Sequence, residues 1–357
     1  MGRNRSKCGV GRRFSIPAEG GAPVVRLDAV SRAAAGRLIG VWALATWLGC
    51  AAVAAEEATT GFDAVVGAPS RVLVRSAAGY VLEHPEAADA ERAALWVLRS
   101  AESWRFEADV VQVAELAIAR FPDNRALLRR AHRVRCVGLT SARRDEAIDA
   151  LRAALRTFRQ PESWEALDLG QAVASRAQLA GRVDLAEAAY RAVADRFLLS
   201  GRIGEVAGFR IERLRKIGQR AARISAPAVD GTPFDLERWA GGVVIVDFWG
   251  TNCVPCLESF PALKMLYREW HRRGLEVVGI SLDRDPAVVR AFQRHWQLPW
   301  PLIVDPDHVA SWRGRYAVPT IPALFVLDHR QVIRYVDLVE ADLGEAVRRL
   351  LRERVSK

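Results

Sequence analysis

Val243-Val244-Ile245-Val246-Asp247-Phe248-Trp249-Gly250-Thr251-Asn252-Cys253-Val254-Pro255-Cys256 starts as a run of β-branched and aromatic residues and ends in two cysteines. Such a run, with little polar alternation, predicts a strand over 243–249 that is buried on both faces. Gly250-Thr251-Asn252 ends it, and Leu257 to Arg273 has the apolar spacing of an amphipathic helix. Cys253 therefore falls at a strand-to-helix junction, where unpaired N–H groups and the positive end of the helix dipole favour thiolate over thiol. Cys256 lies one turn further along the same helix face, placed to attack a mixed disulfide formed by Cys253. Pro255 lacks an N–H, which a first helical turn tolerates.

Working outward, Pro227, Asp230-Gly231-Thr232-Pro233 and Gly241-Gly242 mark turns ahead of the strand. Downstream, strands are predicted at 275–282 and 301–305, a hairpin at 323–328 and 332–336, and helices at 286–296 and 343–353. That order predicts a mixed sheet with helices on both faces. A Cys-x-x-Cys also serves as half of a zinc site, but no second cysteine pair or histidine pair completes one, so no metal is expected. A structural disulfide is the remaining alternative to a redox dithiol.

The segment 246–256 resembles the active-site segment of thioredoxin-like proteins, and its surroundings resemble the TlpA/ResA type of extracytoplasmic thioredoxins. Ala226-Pro227, Asp230-Gly231, Phe260-Pro261, Val277-Val278-Gly279-Ile280-Ser281-Leu282-Asp283 and Tyr316-Ala317-Val318 through Asp328 carry the likeness over roughly 219–355. The resemblance implies a thioredoxin fold, thiol–disulfide exchange at Cys253 and Cys256, and no cofactor beyond that redox-active disulfide. It implies a cis-proline facing the dithiol at Pro322, with Pro319 as a nearby competitor, and a substrate segment running along the backbone of Ile321. Asp247 matches the buried acid of cytoplasmic thioredoxins. Desolvation should raise its pKa and make it a proton acceptor for Cys256; a strand-end acid bonded to water or backbone is the alternative. Trp249 is expected to pack under the dithiol, with ordinary core as the alternative, and together with Asn252 it completes the expected substrate-contacting set. Asn252 stands where the family usually has Trp, which removes an aromatic lid. Ser259 stands where ResA-like members often carry Glu, with Glu258 one residue earlier. Gln331 replaces the glycine usual before the last hairpin strand. A peroxidase of related fold fits less well, because it wants Thr three residues before the reactive cysteine and Thr251 is two before.

Residues 84–222 are rich in Ala, Leu, Arg and Glu at helical spacing. Ala114-Glu115-Leu116-Ala117 leads to Phe121, Ala147, Leu151 and Ala154 lead to Phe158, and Ala186, Tyr190 and Val193 lead to Phe197. The phenylalanines are 37 and 39 residues apart. With Gly181 five residues before Ala186, this resembles tetratricopeptide repeats, whose solenoids bind peptides on a concave face. A plain helical bundle is the alternative. Cys136 lies on a helical stretch and reads as a small buried hydrophobe.

The chain of 357 residues carries a net charge of +10. Residues 1–37 hold eight basic residues against two acidic ones, so a surplus of six sits in this leader and a nucleic-acid footprint is not supported. Leu38 to Ala55 is apolar for 18 residues and stops at Glu56-Glu57. A basic start, an apolar stretch and an Ala-rich end are the parts of a secretory signal. An uncleaved membrane anchor and a faint lipoprotein box at Trp47-Leu48-Gly49-Cys50 are rival readings. All of them place the rest of the chain outside the cytoplasm.

The sequence thus predicts a signal or anchor over 1–55, a linker over 56–83, a tetratricopeptide-like all-α domain over 84–222 and an α/β thioredoxin domain over 223–357. The expected activity is extracytoplasmic reduction of protein disulfides, with a membrane electron donor and a peptide on the helical repeats as further partners. The alternative is a partner-binding helical protein whose thioredoxin-like domain is structural or vestigial.

Overall fold

The computed structural model describes residues 71–198, 201–305 and 311–355. The signal or anchor reading of 1–55 lies outside them, and so does the linker reading as far as residue 70.

Eight helices run in tandem through the first half of the described chain: α1 (Arg71–Glu83), α2 (Ala90–Trp104), α3 (Val111–Arg120), α4 (Arg125–Ser141), α5 (Glu146–Leu155), α6 (Ser163–Leu179), α7 (Val183–Arg196) and α8 (Gly201–Leu214). Residues 71–83, assigned from the sequence to a linker, are helical, and this corrects that boundary. Val74, Ala78 and Val81 recur at helical spacing and bury against Ala94, Val97 and Leu98 of α2. Phe121, Phe158 and Phe197 each follow the end of a helix, at the ends of α3, α5 and α7. Close packing between helices depends on small residues. A Cβ on Gly170 of α6 would come within 2.5 Å of Val193 Cγ2 in α7. Gly181 takes a φ of 74° in the turn between the same two helices.

The second half forms a mixed sheet. A short hairpin, β1 (Ser225–Pro227) and β2 (Pro233–Asp235), precedes β3 (Val243–Trp249), α9 (Val254–Trp270), β4 (Leu275–Ser281), α10 (Pro286–Trp296), β5 (Leu302–Val304), α11 (Trp312–Arg315), β6 (Ala323–Leu327), β7 (Ile333–Val336) and α12 (Glu340–Val355). The five-stranded order is β5-β4-β3-β6-β7, with β4 parallel to β3 and β6 antiparallel to it. Central β3 is buried along its whole length, as its composition predicts. Val244, Val246 and Phe248 face one core, and Val243, Ile245 and Trp249 face another with α9 and α12.

The two halves are not separable beads. Residues 71–355 belong to one compact unit, and one hydrophobic core runs from Cys136 and Leu151 through Ile211 and Leu214 to Val244, Phe248 and Val336. Gly218 N and Ala221 N donate to Ile333 O and Gln331 O, and Ile333 N donates to Gln219 O, so residues 218–221 lie along β7. Beyond them Gln178 of α6 caps the same edge, donating to Val336 O at 2.9 Å and accepting from Val336 N at 2.9 Å. An open strand edge invites pairing with other chains, and here helices and their connector close it.

Candidate active site

Parallel pairing of β3 with β4 brings the C-terminal ends of both strands together, with Trp249 opposite Ser281. The dithiol loop starts there. Asp283 holds it from the β4 side: its Oδ2 accepts from Thr251 N at 2.9 Å and its Oδ1 from Thr251 Oγ1 at 2.7 Å. Ser281 Oγ donates to Asp283 Oδ2 at 2.6 Å and accepts from Asp283 N at 3.0 Å, which fixes the carboxylate itself. Sequence reasoning did not single out Asp283 as a site residue. Its partner Thr251 is 32 positions away, and only the register of β3 on β4 reveals the pair.

Cys253 is the N-cap of α9, and its carbonyl accepts from Cys256 N at 2.9 Å and Leu257 N at 3.1 Å. Cys253 and Cys256 form a disulfide. Cys253 is half-buried while Cys256 is buried, and Val254 between them is 63% exposed. An incoming disulfide therefore meets Cys253 first, and Cys256 is held back to resolve. Ser259 Oγ donates to Cys256 O at 2.8 Å, and Glu258 points to solvent.

Asp247 lies on the same face of β3 as Trp249, beneath α9 and Cys256. It is buried, its Oδ2 has no hydrogen-bond partner among the described residues, and burial alone pushes its carboxyl up to about 7. A carboxyl that titrates near neutrality in an apolar site can hold or give up a proton at working pH.

Trp249, expected to pack under the dithiol and also grouped with the substrate contacts, lies inside the fold. It is fully buried and packs against Phe260 and Phe292. It lies across Gly279, where a Cβ would come within 2.9 Å of its Nε1. The indole is thus floor rather than rim, because its strand is covered on both faces. Asn252 is exposed at the rim.

Ile321–Pro322 is a cis peptide, and Pro319 carries no such bond. Ile321 packs against both cores, and its Cδ1 lies over Gly250, 3.1 Å from where a Cβ would stand. The site therefore brings together Cys253, Cys256, Asp247, Ile321 and Pro322 from β3, α9 and the start of β6. Gln331 adopts φ 61° in the β6–β7 turn, and its side-chain amide donates to Leu236 O at 2.5 Å, so a glutamine holds the conformation that glycine usually supplies. Cys136 is fully buried in α4, far from water, with its thiol pushed up to about 12 by burial.

A cysteine pair at a helix N-terminus of a thioredoxin fold, the first half-buried and the second buried, over a buried carboxyl, defines a thiol–disulfide exchange centre. The sequence model of the AhpC/TSA family matches residues 217–336. The chain is 26% identical over 163 residues to the thiol–disulfide oxidoreductase ResA of Bacillus anthracis, covering 45% of this chain and 90% of that protein. It is 30% identical over 120 residues to the thioredoxin-like protein YneN of Bacillus subtilis (strain 168), covering 33% of this chain and 68% of that protein. A solved thiol:disulfide interchange protein of the thioredoxin family from Chlorobium tepidum TLS is 24% identical, covering 37% of this chain and 95% of that one, with a TM-score of 0.34. The chain belongs to the thioredoxin-like thiol–disulfide oxidoreductases, and it is an enzyme of that class.

Proposed function

We propose that this enzyme works outside the cytoplasm as a reductant of protein disulfides. The observation that carries the reading is the asymmetry of the dithiol: Cys253 half-buried at the helix N-terminus, Cys256 buried, and Asp247 beneath with a carboxyl near 7 that burial alone sets. Cys253 thiolate attacks one sulfur of the substrate disulfide; a mixed disulfide forms and the other substrate sulfur leaves as thiolate. Cys256 then passes its proton to Asp247 and attacks Cys253 Sγ. The Cys253–Cys256 bond forms, the second substrate thiolate leaves, and two electrons have moved from the dithiol to the substrate. An intact dithiol over a buried acid weighs against a vestigial domain.

The location rests on the basic residues of 1–37 followed by the apolar run 38–55. Among the described residues no helix is long and apolar enough to cross a membrane. An enzyme in that compartment needs a dithiol donor at the membrane to reduce Cys253–Cys256 again.

Two measurements test the reading. Equilibration of the purified chain in glutathione buffers should show one two-electron transition assigned to Cys253 and Cys256. A Cys256→Ser chain in envelope extract should collect exported proteins as mixed disulfides on Cys253. A dithiol that does not cycle, or a trap that collects only cytoplasmic proteins, rejects the proposal.

A further inference from the structure

Beyond Val336, the end of β7, Asp337 turns into the left-handed region with φ 48°. A residue with a Cβ holds that conformation against a cost, so its surroundings must fix it. Asp337 N donates to Leu324 O at 2.8 Å, and Leu324 N donates to Asp337 Oδ1 at 3.1 Å. Arg213 Nε donates to Asp337 Oδ2 at 2.6 Å, and Gln171 Nε2 donates to Asp337 O at 3.1 Å. The Arg213 and Asp337 side chains are only 1% and 5% exposed. A charge pair taken this far from water is costly unless its geometry closes, and here the carboxylate is shared between a guanidinium and a backbone N–H. Both outside partners come from the helical half: Arg213 from the last turn of α8 and Gln171 from α6.

The place of Leu324 gives the pair its consequence. It is the second residue of β6, two after Pro322 and three after Ile321. On its other edge it pairs with Asp247 of β3. Ile321 in turn lies over Gly250 at the base of the dithiol loop. The backbone that carries Ile321 and Pro322 to the sulfurs is therefore anchored at its root by a carboxylate that an arginine of the helical half orients.

We propose that Arg213 is a positioning residue for thiol–disulfide exchange: through Asp337 it fixes the strand end that presents Ile321 and Pro322 to a protein substrate. Arg213 touches neither substrate nor sulfur. The inference rests on the reading that an extended substrate segment docks along Ile321. It makes the helical half part of the substrate-binding apparatus through the protein interior rather than through a surface of its own.

The test compares second-order rates of the reduced full chain with insulin, a protein disulfide, and with cystamine, a small disulfide that has no peptide segment to dock. Displacement of a positioned group by about 1 Å can cost up to ~10²-fold. For Arg213→Met the ratio of the insulin to the cystamine rate should fall about tenfold, with Arg213→Lys recovering part of the loss. If the methionine variant does not fold because Asp337 is left charged and alone, the double variant Arg213→Met/Asp337→Asn removes that charge and should show the same lowered ratio. A wild-type ratio in a folded Arg213→Met chain or a folded double variant overturns the proposal, as does an equal loss with both disulfides. A wild-type chain that reacts with cystamine and not with insulin overturns the docking reading itself, so the two failures appear in different chains.

Discussion

Asp247 is folded into the centre of a sheet, where burial alone shifts its carboxyl, and that sets its pH behaviour. The carboxyl holds a proton more tightly in the folded chain, where it titrates at about 7, than in the unfolded chain. Stability is therefore unaffected at low pH, falls as pH rises past the unfolded value of about 4, and stops falling above the folded one. Asp247→Asn should leave the denaturation midpoint at pH 4 unchanged and raise stability at pH 8 by up to about 4 kcal/mol. The same variant should slow release of the mixed disulfide by about 10²-fold, since a general base is lost. Equal midpoint shifts at both pH values would contradict the assignment. Cys136 is the opposite case, a thiol whose burial keeps it protonated. Mass mapping of the reduced chain after brief alkylation at pH 8 should find Cys253 modified and Cys136 untouched until denaturant is added. The dithiol was legible because its chemistry follows from type and spacing, and Asp247 through the likeness of 246–256 to the thioredoxin-like segment. The inward place of Trp249 under the dithiol was expected as well, but the Phe260 and Phe292 rings that seat it were not, because they come from other elements.

Among the elements, β3, α9, β4 and α10 fall where their apolar periods predict, since each period reflects the face that must leave water. The hairpin β1–β2 and the helix α1 were not legible. The hairpin strands are three residues each, too short for a period, and α1 was read as linker although Gly67, Pro69 and Ser70 stand directly before it. The seating of the Trp249 indole and the Leu302 side chain over β4 depends on Gly279, where an added Cβ would stand 2.6 Å from Leu302 Cδ2 and 2.9 Å from Trp249 Nε1. Gly279→Ala should destabilise the chain by about 1–3 kcal/mol through this overpacking. A thermal scan followed by tryptophan fluorescence reads both the loss and the moved indole; an unchanged midpoint and spectrum would show that the floor gives way freely.

Over the whole molecule, the helical half closes the edge of the sheet and holds its last loop. Ser175 Oγ donates to Asp342 Oδ2 at 2.5 Å and accepts from Val339 N at 3.1 Å, while Arg105 and Arg176 also pair with Asp342. With Arg213 on Asp337, two buried carboxylates of the thioredoxin half find their cations in the helical half. The full chain should therefore unfold in guanidinium as one transition for 71–355, with fluorescence and helical signal coincident. A fragment of residues 223–357, whose apolar face on the shared core would meet water, should be less stable than the full chain. Two separated transitions in the full chain would show that the halves are independent after all.

Residue type and spacing marked a dithiol at a strand-to-helix junction and a helical segment in front, while the resemblance to thioredoxin-like proteins marked the acid two residues before the strand ends and the proline ahead of a later strand. Local order suffices for those features, because periodicity and turn chemistry act over a few residues. Only the tertiary structure decided that Asp283 clamps Thr251, that Phe260 and Phe292 seat Trp249, and that Arg213 stands behind the loop of Ile321 and Pro322. The two hydrogen-bonded pairs, Thr251 with Asp283 and Arg213 with Asp337, join residues 32 and 124 positions apart. Such pairings depend on strand register and on which face of a helix meets the sheet, and no local stretch of sequence encodes either.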